Sequence, residues 1–415
     1  MISMSLQLQQ TQSNSSLWSN RAFVGVLSGN VVSVFGDCFN GIALSLWILQ
    51  TTGSAVYMSS ILITYSIMNI CFGSIAGTVA DRVNRRKLML YSDILRGLIT
   101  FTLAICVWLN YTSILLIVVL VALSAFSSLF HGPAFQASLI MIVGKSKVQQ
   151  ATGIVQLLDN VARISGLAAG GIVVATLGGY MAILFNAAAF WFSAICVLAG
   201  GYFPSPEVLS KERSSFTQDF IEGFKYIKNN KFARAVVIMN PLLFLFFMSS
   251  LMLVQVMAVK EWLASPILFG FIEACIPLGY MVGAGIILSF NNRLGRRGWL
   301  ICAGILLMGP VFLFISVMNS AISAIPFILI SGLLFAFCTM LIQIILRTEV
   351  DVQLQGRIYG TLGSLSSIAP PIGLALSSVL ADQYGASIVL ACNGVGMLLL
   401  GIMVTLCMRR IRTYT

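Results

Sequence analysis

Charged residues inside long apolar segments are the residues of this sequence best suited to chemistry. Asp37, Asp159 and Glu273 each interrupt such a segment. A charge in the middle of a membrane costs several kcal/mol unless it is paired or hydrated, so such acids mark sites for protons, ions or substrates. These three acids, together with Arg163, form the predicted proton or substrate site.

Asp37 is the first candidate of this group. It lies about fifteen residues from the inner end of its predicted helix, roughly 22 Å along the axis. The chain places no cation within one helical turn of it, so burial is expected to favour its neutral form, as proton coupling requires. For both Asp37 and Glu273, the alternative to a proton or substrate site is a buried structural hydrogen bond.

Two further pairs of charges follow helical spacing. Arg163 lies one turn beyond Asp159 on the same face, which predicts an ion pair with a structural or gating role. Asp93 and Arg96 are three residues apart and are predicted to form a structural pair. The single histidine, His131, is predicted to cap or pack a helix end, with a proton relay as the alternative.

The composition indicates the elements that must position these residues. Hydrophobic residues make up 58% of the 415 residues and charged residues only 9%, with a mean hydropathy of +0.96. Soluble domains carry about 25% charged residues, and a membrane helix needs about 20 apolar residues. We therefore predict an all-α membrane protein with twelve transmembrane helices in two six-helix bundles. The predicted helices span 22–49, 55–80, 88–109, 113–141, 149–177, 180–203, 233–258, 264–290, 298–318, 321–346, 358–381 and 386–408.

Positive charge predicts the orientation in the membrane. Lys and Arg number 24 against 13 acids, a net charge of +11, and cytoplasmic loops collect such residues. All of them except Lys260 and Arg163 fall on one side if both termini are cytoplasmic. The balance therefore indicates a multi-pass protein of the cell membrane rather than a nucleic-acid partner. The predicted divisions are a cytoplasmic, unstructured tail 1–20, a bundle 21–203, a linker 204–232, a bundle 233–408 and a cytoplasmic tail 409–415.

Other classes of function lack their motifs. The nine cysteines are scattered through apolar segments without a CxxC pair, and one histidine cannot form a histidine-rich metal site. The sequence contains no phosphate-binding loop and no catalytic triad pattern. We therefore expect no enzyme activity, no metal and no cofactor.

An internal repeat supports the division at the linker. A shift of 207 residues superimposes Gly166 on Gly373, Gly178 on Gly385 and Asn186 on Asn393, and it places Ser366 opposite Asp159. Parallel six-helix repeats are typical of secondary transporters, whose sites lie at the repeat interface near the midplane. Within the linker, aromatic residues at helical spacing predict either an amphipathic helix on the inner leaflet or a solvated helix packed on the bundle.

The turn after the second helix combines glycines, an acid and arginines. Glycines four residues apart allow two helices to approach closely, and an acid at the membrane surface can bond a helix N-terminus. The alternative, a plain positive loop, explains the arginines but not the spacing of the glycines and the acid. The predicted latch between the two halves consists of Gly73, Gly77, Asp81, Arg82, Arg85 and Arg86.

This turn resembles the signature G-x-L-A-D-R-x-G-R-K/R of the major facilitator superfamily. Gly77, Ala80, Asp81, Arg82, Arg85 and Arg86 are in register, whereas Val79 and Asn84 depart from it. The segments 36–55, 133–137 and 355–360 resemble the branch of macrolide-efflux proteins and the enterobactin exporter, which is of the drug:proton antiporter type. The antiporter glycines occur at Gly166-Leu167-Ala168-Ala169-Gly170-Gly171, but Leu167 replaces the proline.

The resemblance implies a function by alternating access. It implies proton-coupled efflux of an amphiphilic small molecule such as a drug, macrolide or siderophore. The transporter would act as a monomer in a bacterial membrane, and its partners would be protons, membrane lipids and the substrate. The proton gradient would supply the energy. An importer or facilitator, a lipid flippase and a transport-dead sensor or scaffold of the same fold remain as alternatives.

Overall fold

The computed structural model describes residues 17–110, 113–144, 146–200, 225, 230–290, 295–349 and 352–407. The side chains of Asp81 and of 231–232, 347–349, 352–361 and 407 are outside this description. The aromatic residues of the predicted linker helix also lie outside it. The predicted unstructured tail ends earlier than expected, because buried Leu17 begins a short 3-10 turn and Asn20 accepts hydrogen bonds from the amides of Ala22 and Phe23.

Helices dominate the described part of the chain, and twelve of them are long and apolar enough to cross a membrane. This confirms the predicted all-α membrane fold with twelve transmembrane helices. The helices are α1 Arg21–Thr52, α2 Ala55–Arg82, α3 Arg85–Trp108, α4 Ile114–Val143, α5 Val148–Leu177, α6 Gly179–Ala199, α7 Lys231–Lys260, α8 Pro266–Ser289, α9 Arg297–Ser316, α10 Ala321–Glu349, α11 Val352–Tyr384 and α12 Ala386–Cys407.

The helices belong to two compact units. Unit 1 contains the described residues up to Leu44 and from Cys71 to Gly200, and unit 2 contains Ser45–Ile70 and the described residues from Lys225 onward. In unit 1, α3 packs against α4 and α6, and in unit 2, α9 packs against α10 and α12. The predicted division at the linker places 45–70 with the first bundle, whereas their packing groups them with unit 2.

Local signals explain where several helices begin. The hydroxyl of Ser265 accepts a hydrogen bond from the Leu268 amide at 3.3 Å, and a proline follows in the first turn of α8. Gly178 and Gly385 have φ values of +89° and +94°, so each reverses the chain where a residue with a side chain would be strained. These two glycines are a matched pair of the predicted repeat, and they separate α5 from α6 and α11 from α12.

A second matched pair of glycines sits at equivalent helix contacts. A Cβ built on Gly166 of α5 would lie 2.8 Å from the carbonyl oxygen of Phe35 in α1, and one on Gly373 of α11 would lie 2.7 Å from that of Leu245 in α7. Small residues permit such close backbone approach between membrane helices. The two units therefore repeat the same contact between their first and fifth helices.

Gly166→Ala is expected to lower the apparent unfolding temperature in detergent, because the new methyl group meets backbone that cannot move aside. Overpacking of this kind costs about 1–3 kcal/mol. The matched control is Gly153→Ala on the same helix, where a Cβ would meet nothing within 4 Å. Equal unfolding temperatures for the two variants would contradict the proposed close approach.

Candidate functional site

Asp37 forms an ion pair that the sequence did not predict. Nη2 of Arg96 in α3 donates to Oδ2 of Asp37 at 2.9 Å, and Nδ2 of Asn186 donates to Oδ1 at 3.4 Å. The guanidinium of Arg96 also lies 3.9 Å from the ring centre of Phe190. The expectation that no cation accompanies Asp37 is therefore wrong, because its partner comes from another helix rather than from a neighbouring turn.

Asp93 is also paired differently from the prediction. It is fully buried, and Oγ of Ser193 in α6 donates to its Oδ2 at 2.7 Å. Nδ1 of His131 in α4 lies 2.9 Å from Oδ1 of Asp93. The predicted Asp93–Arg96 pair is wrong because Asp93 faces α4 and α6 whereas Arg96 reaches α1. His131, predicted as a helix-end residue, instead joins α4 to this buried acid.

Asp159 is held by an amide. Nδ2 of Asn30 in α1 donates to Oδ1 of Asp159 at 2.6 Å. Arg163 is exposed and interacts with Asp159 electrostatically, but no ion pair within 4.0 Å joins them in the described part of the chain. The Asn30 amide therefore provides the direct contact that helical spacing assigned to Arg163.

Glu273 differs from Asp37 in having no cation beside it in the described part of the chain. It lies in α8, beside the Gln255 side chain of α7, and no ion pair among the described residues includes it. Oε1 of Glu273 and Oε1 of Gln255 are both buried without a hydrogen-bond partner in that part of the chain. Burying an unpaired charge is costly, and a bound proton would remove that charge.

The predicted repeat extends to hydrogen-bonded side chains. Asn240 of α7 donates through Nδ2 to the hydroxyl of Ser366 in α11 at 3.0 Å, as Asn30 of α1 does to Asp159 in α5. Asn393 donates to the hydroxyl of Ser249 at 3.0 Å, as Asn186 donates to Asp37. The two units thus share these amides, but at the matched position in the fifth and eleventh helices unit 1 has the carboxyl of Asp159 and unit 2 has the hydroxyl of Ser366.

A cavity of about 500 Å³ adjoins the Asn240–Ser366 contact in unit 2. Pockets for small molecules have volumes of about 300–1,000 Å³. The walls come from α2, α7, α10 and α11 and combine amides, hydroxyl groups and apolar side chains. The lining residues are Ser66, Asn69, Val236, Asn240, Phe244, Met248, Thr339, Ile342, Gln343, Leu346, Leu362, Gly363, Ser366, Ser367 and Pro370.

Two arginines of the predicted latch make contacts inside unit 1. Arg86 donates to the carbonyl oxygens of Val197 and Leu198, in the last turn of α6, at 3.2 and 2.6 Å. Arg85 donates to the carbonyl oxygen of Ala137 in α4 at 3.2 Å. Arginines commonly bond the last carbonyls of a helix, so these contacts stabilise the unit itself.

The other latch residues make no such contacts in the described structure. Arg82 is exposed, Gly73 is half-buried, and a Cβ on Gly77 would meet nothing within 4 Å. The side chain of Asp81 lies outside the described residues. The role of the six residues as a latch between the halves therefore stays a prediction.

Sequence reasoning missed Asp382, near the end of α11. Its carboxylate accepts hydrogen bonds from the Ser54 hydroxyl at 2.5 Å and from the Ala55 and Val56 amides at 2.8 and 3.2 Å. Nζ of Lys260 lies 3.5 Å from Oδ1 of Asp382. The acid thus caps the N-terminus of α2 and holds it against α7 and α11 within unit 2. The sequence around Asp382 does not distinguish it from any other acid at a helix end. Its partners Ser54 and Lys260 are more than 100 residues away in sequence, so no local pattern predicts these contacts.

The family described as Transmembrane secretion effector matches residues 13–413. An uncharacterized MFS-type transporter of Bacillus subtilis, YfiS, is 27% identical over 404 residues, covering 92% of each chain. Macrolide efflux protein A of Streptococcus pyogenes is 22% identical over 373 residues and covers 88% of this chain and 90% of its own. The multidrug efflux pump Tap of Mycolicibacterium fortuitum is 23% identical over 378 residues, with coverage of 88% and 91%.

Solved structures share the fold. A bacterial homologue of the iron transporter ferroportin superposes with a TM-score of 0.76 at 12% identity, covering 96% of this chain and all of its own. The nucleoside transporter NupG gives a TM-score of 0.73 at 14% identity, covering 94% of this chain and all of its own. At this identity the likeness shows a common transporter fold alone.

Proposed function

Because the chain belongs to the Transmembrane secretion effector family of the major facilitator superfamily, we propose that it exports an amphiphilic small molecule in exchange for protons. It is a multi-pass membrane transporter rather than an enzyme. The relatives named for macrolide and multidrug efflux support the export direction. Alternating access, cytoplasmic termini, action as a monomer and the proton gradient as the energy source belong to the same proposal. The proposed substrates include drugs, macrolides and siderophores.

The observation that carries the proton part is the carboxyl of Glu273, whose Oε1 is buried without a hydrogen bond and which forms no ion pair among the described residues. Asp37 has a partner that can hold its charge, the guanidinium of Arg96. The side chain beside Glu273 is the neutral Gln255. A protein gains coupling when a carboxyl is protonated in one conformation and releases its proton in another. We therefore assign the principal proton-carrying role to Glu273, with Asp159 as the second candidate.

The test uses inside-out membrane vesicles energised by respiration. An exporter accumulates substrate inside such vesicles, and an uncoupler that dissipates the proton gradient abolishes the accumulation. Vesicles without the protein provide the control. Accumulation that persists with the uncoupler would contradict proton coupling, and accumulation only in right-side-out vesicles would establish import instead.

A further inference from the structure

We infer that the cavity of unit 2 binds an uncharged, drug-sized molecule with both hydrogen-bond donors and acceptors, and that it discriminates against organic cations. This inference rests on the proposed function for its biological meaning, since it names the class of molecule that is exported. The property that defines this class is the absence of net charge on the bound form of the ligand. Three observations lead to it.

The first observation is the chemistry of the cavity walls. Among the fifteen described residues that line it there is no acid, lysine, arginine or histidine. Three amides, Asn69, Asn240 and Gln343, and four hydroxyl groups supply its polar atoms. A ligand cation placed here would lose its water and gain no opposite charge, which is unfavourable in a medium of low dielectric constant. An uncharged ligand does not face this cost.

The second observation is the comparison between the two units. Ser366 occupies the position that Asp159 occupies in unit 1, and the same asparagine contact is made in both places. The fold of unit 1 therefore accommodates a carboxylate at the position of Ser366. The neutral residue at Ser366, like the other described residues of the lining, is thus a property of this sequence and not a requirement of the architecture.

The third observation concerns the backbone of α11. Pro370 and Pro371 lie inside this helix, and a proline has no amide hydrogen to donate to the carbonyl four residues earlier. The two carbonyls that lose their helical donor are those of Ser366 and Ser367, and both residues line the cavity. The wall of α11 thus offers backbone acceptors for ligand hydroxyl or amide donors, and the amides of α2 and α7 offer donors.

The test compares two probes on the purified full-length protein in detergent by equilibrium dialysis. Chloramphenicol is uncharged and has hydroxyl and amide groups, whereas tetraphenylphosphonium is a permanent cation. Wild-type protein is expected to bind chloramphenicol at least about tenfold more tightly than tetraphenylphosphonium. A tenfold difference in affinity corresponds to about 1.4 kcal/mol.

Two variants place an acid in the cavity. Ser366→Asp introduces the residue that unit 1 has at the matching position, and Asn69→Asp changes an amide to an acid of the same shape. Each is expected to improve tetraphenylphosphonium binding about tenfold or more, the lower end of the contribution of a close charge pair. Asn84→Asp is the matched control, because Asn84 caps α3 outside the cavity and an acid caps equally well.

The outcomes separate this inference from the proposed function. Equal or tighter binding of the cation by wild-type protein, no binding of chloramphenicol, or an unchanged preference in both acid variants would overturn the inference. Dialysis needs no gradient, so a protein that binds the neutral probe without accumulating it in vesicles would lose the transport function and keep the inference. If the protein exports only cations, the transport function is supported and the inference about an uncharged ligand is wrong.

Discussion

Glu273→Gln is expected to abolish efflux against a concentration gradient when a pH gradient is the only energy source. Glutamine has the shape of the protonated acid but cannot release a proton, so the cycle loses its coupling. Downhill exchange of an uncharged substrate should continue, because that exchange needs no proton. The measurement is substrate accumulation in proteoliposomes with an imposed pH gradient.

The matched comparison is Asp37→Asn. Asp37 is paired with Arg96, so its replacement removes a partner from a buried guanidinium and should reduce stability more than coupling. Uphill transport at the wild-type level by the Glu273→Gln protein would exclude this acid as the required carrier. Asp159, held at hydrogen-bond distance by the neutral Asn30 amide, would then take its place.

Asp93→Ala is expected to cause the largest loss of stability among the single changes considered. The carboxyl of Asp93 is fully buried, accepts a hydrogen bond from Ser193 and lies 2.9 Å from Nδ1 of His131. Its removal leaves two buried polar groups without their partner, at a cost of about 1–3 kcal/mol for each. Ser193→Ala removes one hydrogen bond from the same cluster and should cost about 1–3 kcal/mol. Thermal unfolding in detergent gives the order of the two variants. An Asp93→Ala protein as stable as wild type would show that the cluster contributes nothing to the fold.

The twelve helices were predictable because membrane spans are a local property. Each apolar segment is bounded by charges, glycines or prolines, and the hydrocarbon thickness sets its length. The repeat was also visible, and the structure places Gly166 and Gly373 in equivalent contacts, while Asn186 and Asn393 each bond the first helix of their half. These features need no knowledge of which helices touch.

The partners of the embedded acids were not predictable in the same way. Helical spacing compares residues three or four apart, so it paired Asp93 with Arg96, whereas the partner of Arg96 lies 59 residues away in α1. Asn30 and Asn240 resemble any isolated polar residue in an apolar segment. Asn30 and Asn240 are 210 residues apart, whereas the matched glycines and Asn186 and Asn393 are 207 residues apart. An alignment of the two halves at a single shift of 207 therefore does not pair Asn30 with Asn240.

Proton release on substrate binding tests the central claim most directly. Purified protein in weakly buffered detergent solution is mixed with chloramphenicol, and a pH-sensitive dye reports protons in the medium. If substrate and proton compete for one state of the protein, wild-type protein releases protons on binding, and the Glu273→Gln protein binds the same probe without release. Equal proton release by both proteins, or binding by wild type with no proton release, would contradict an exchange of substrate for the proton of Glu273.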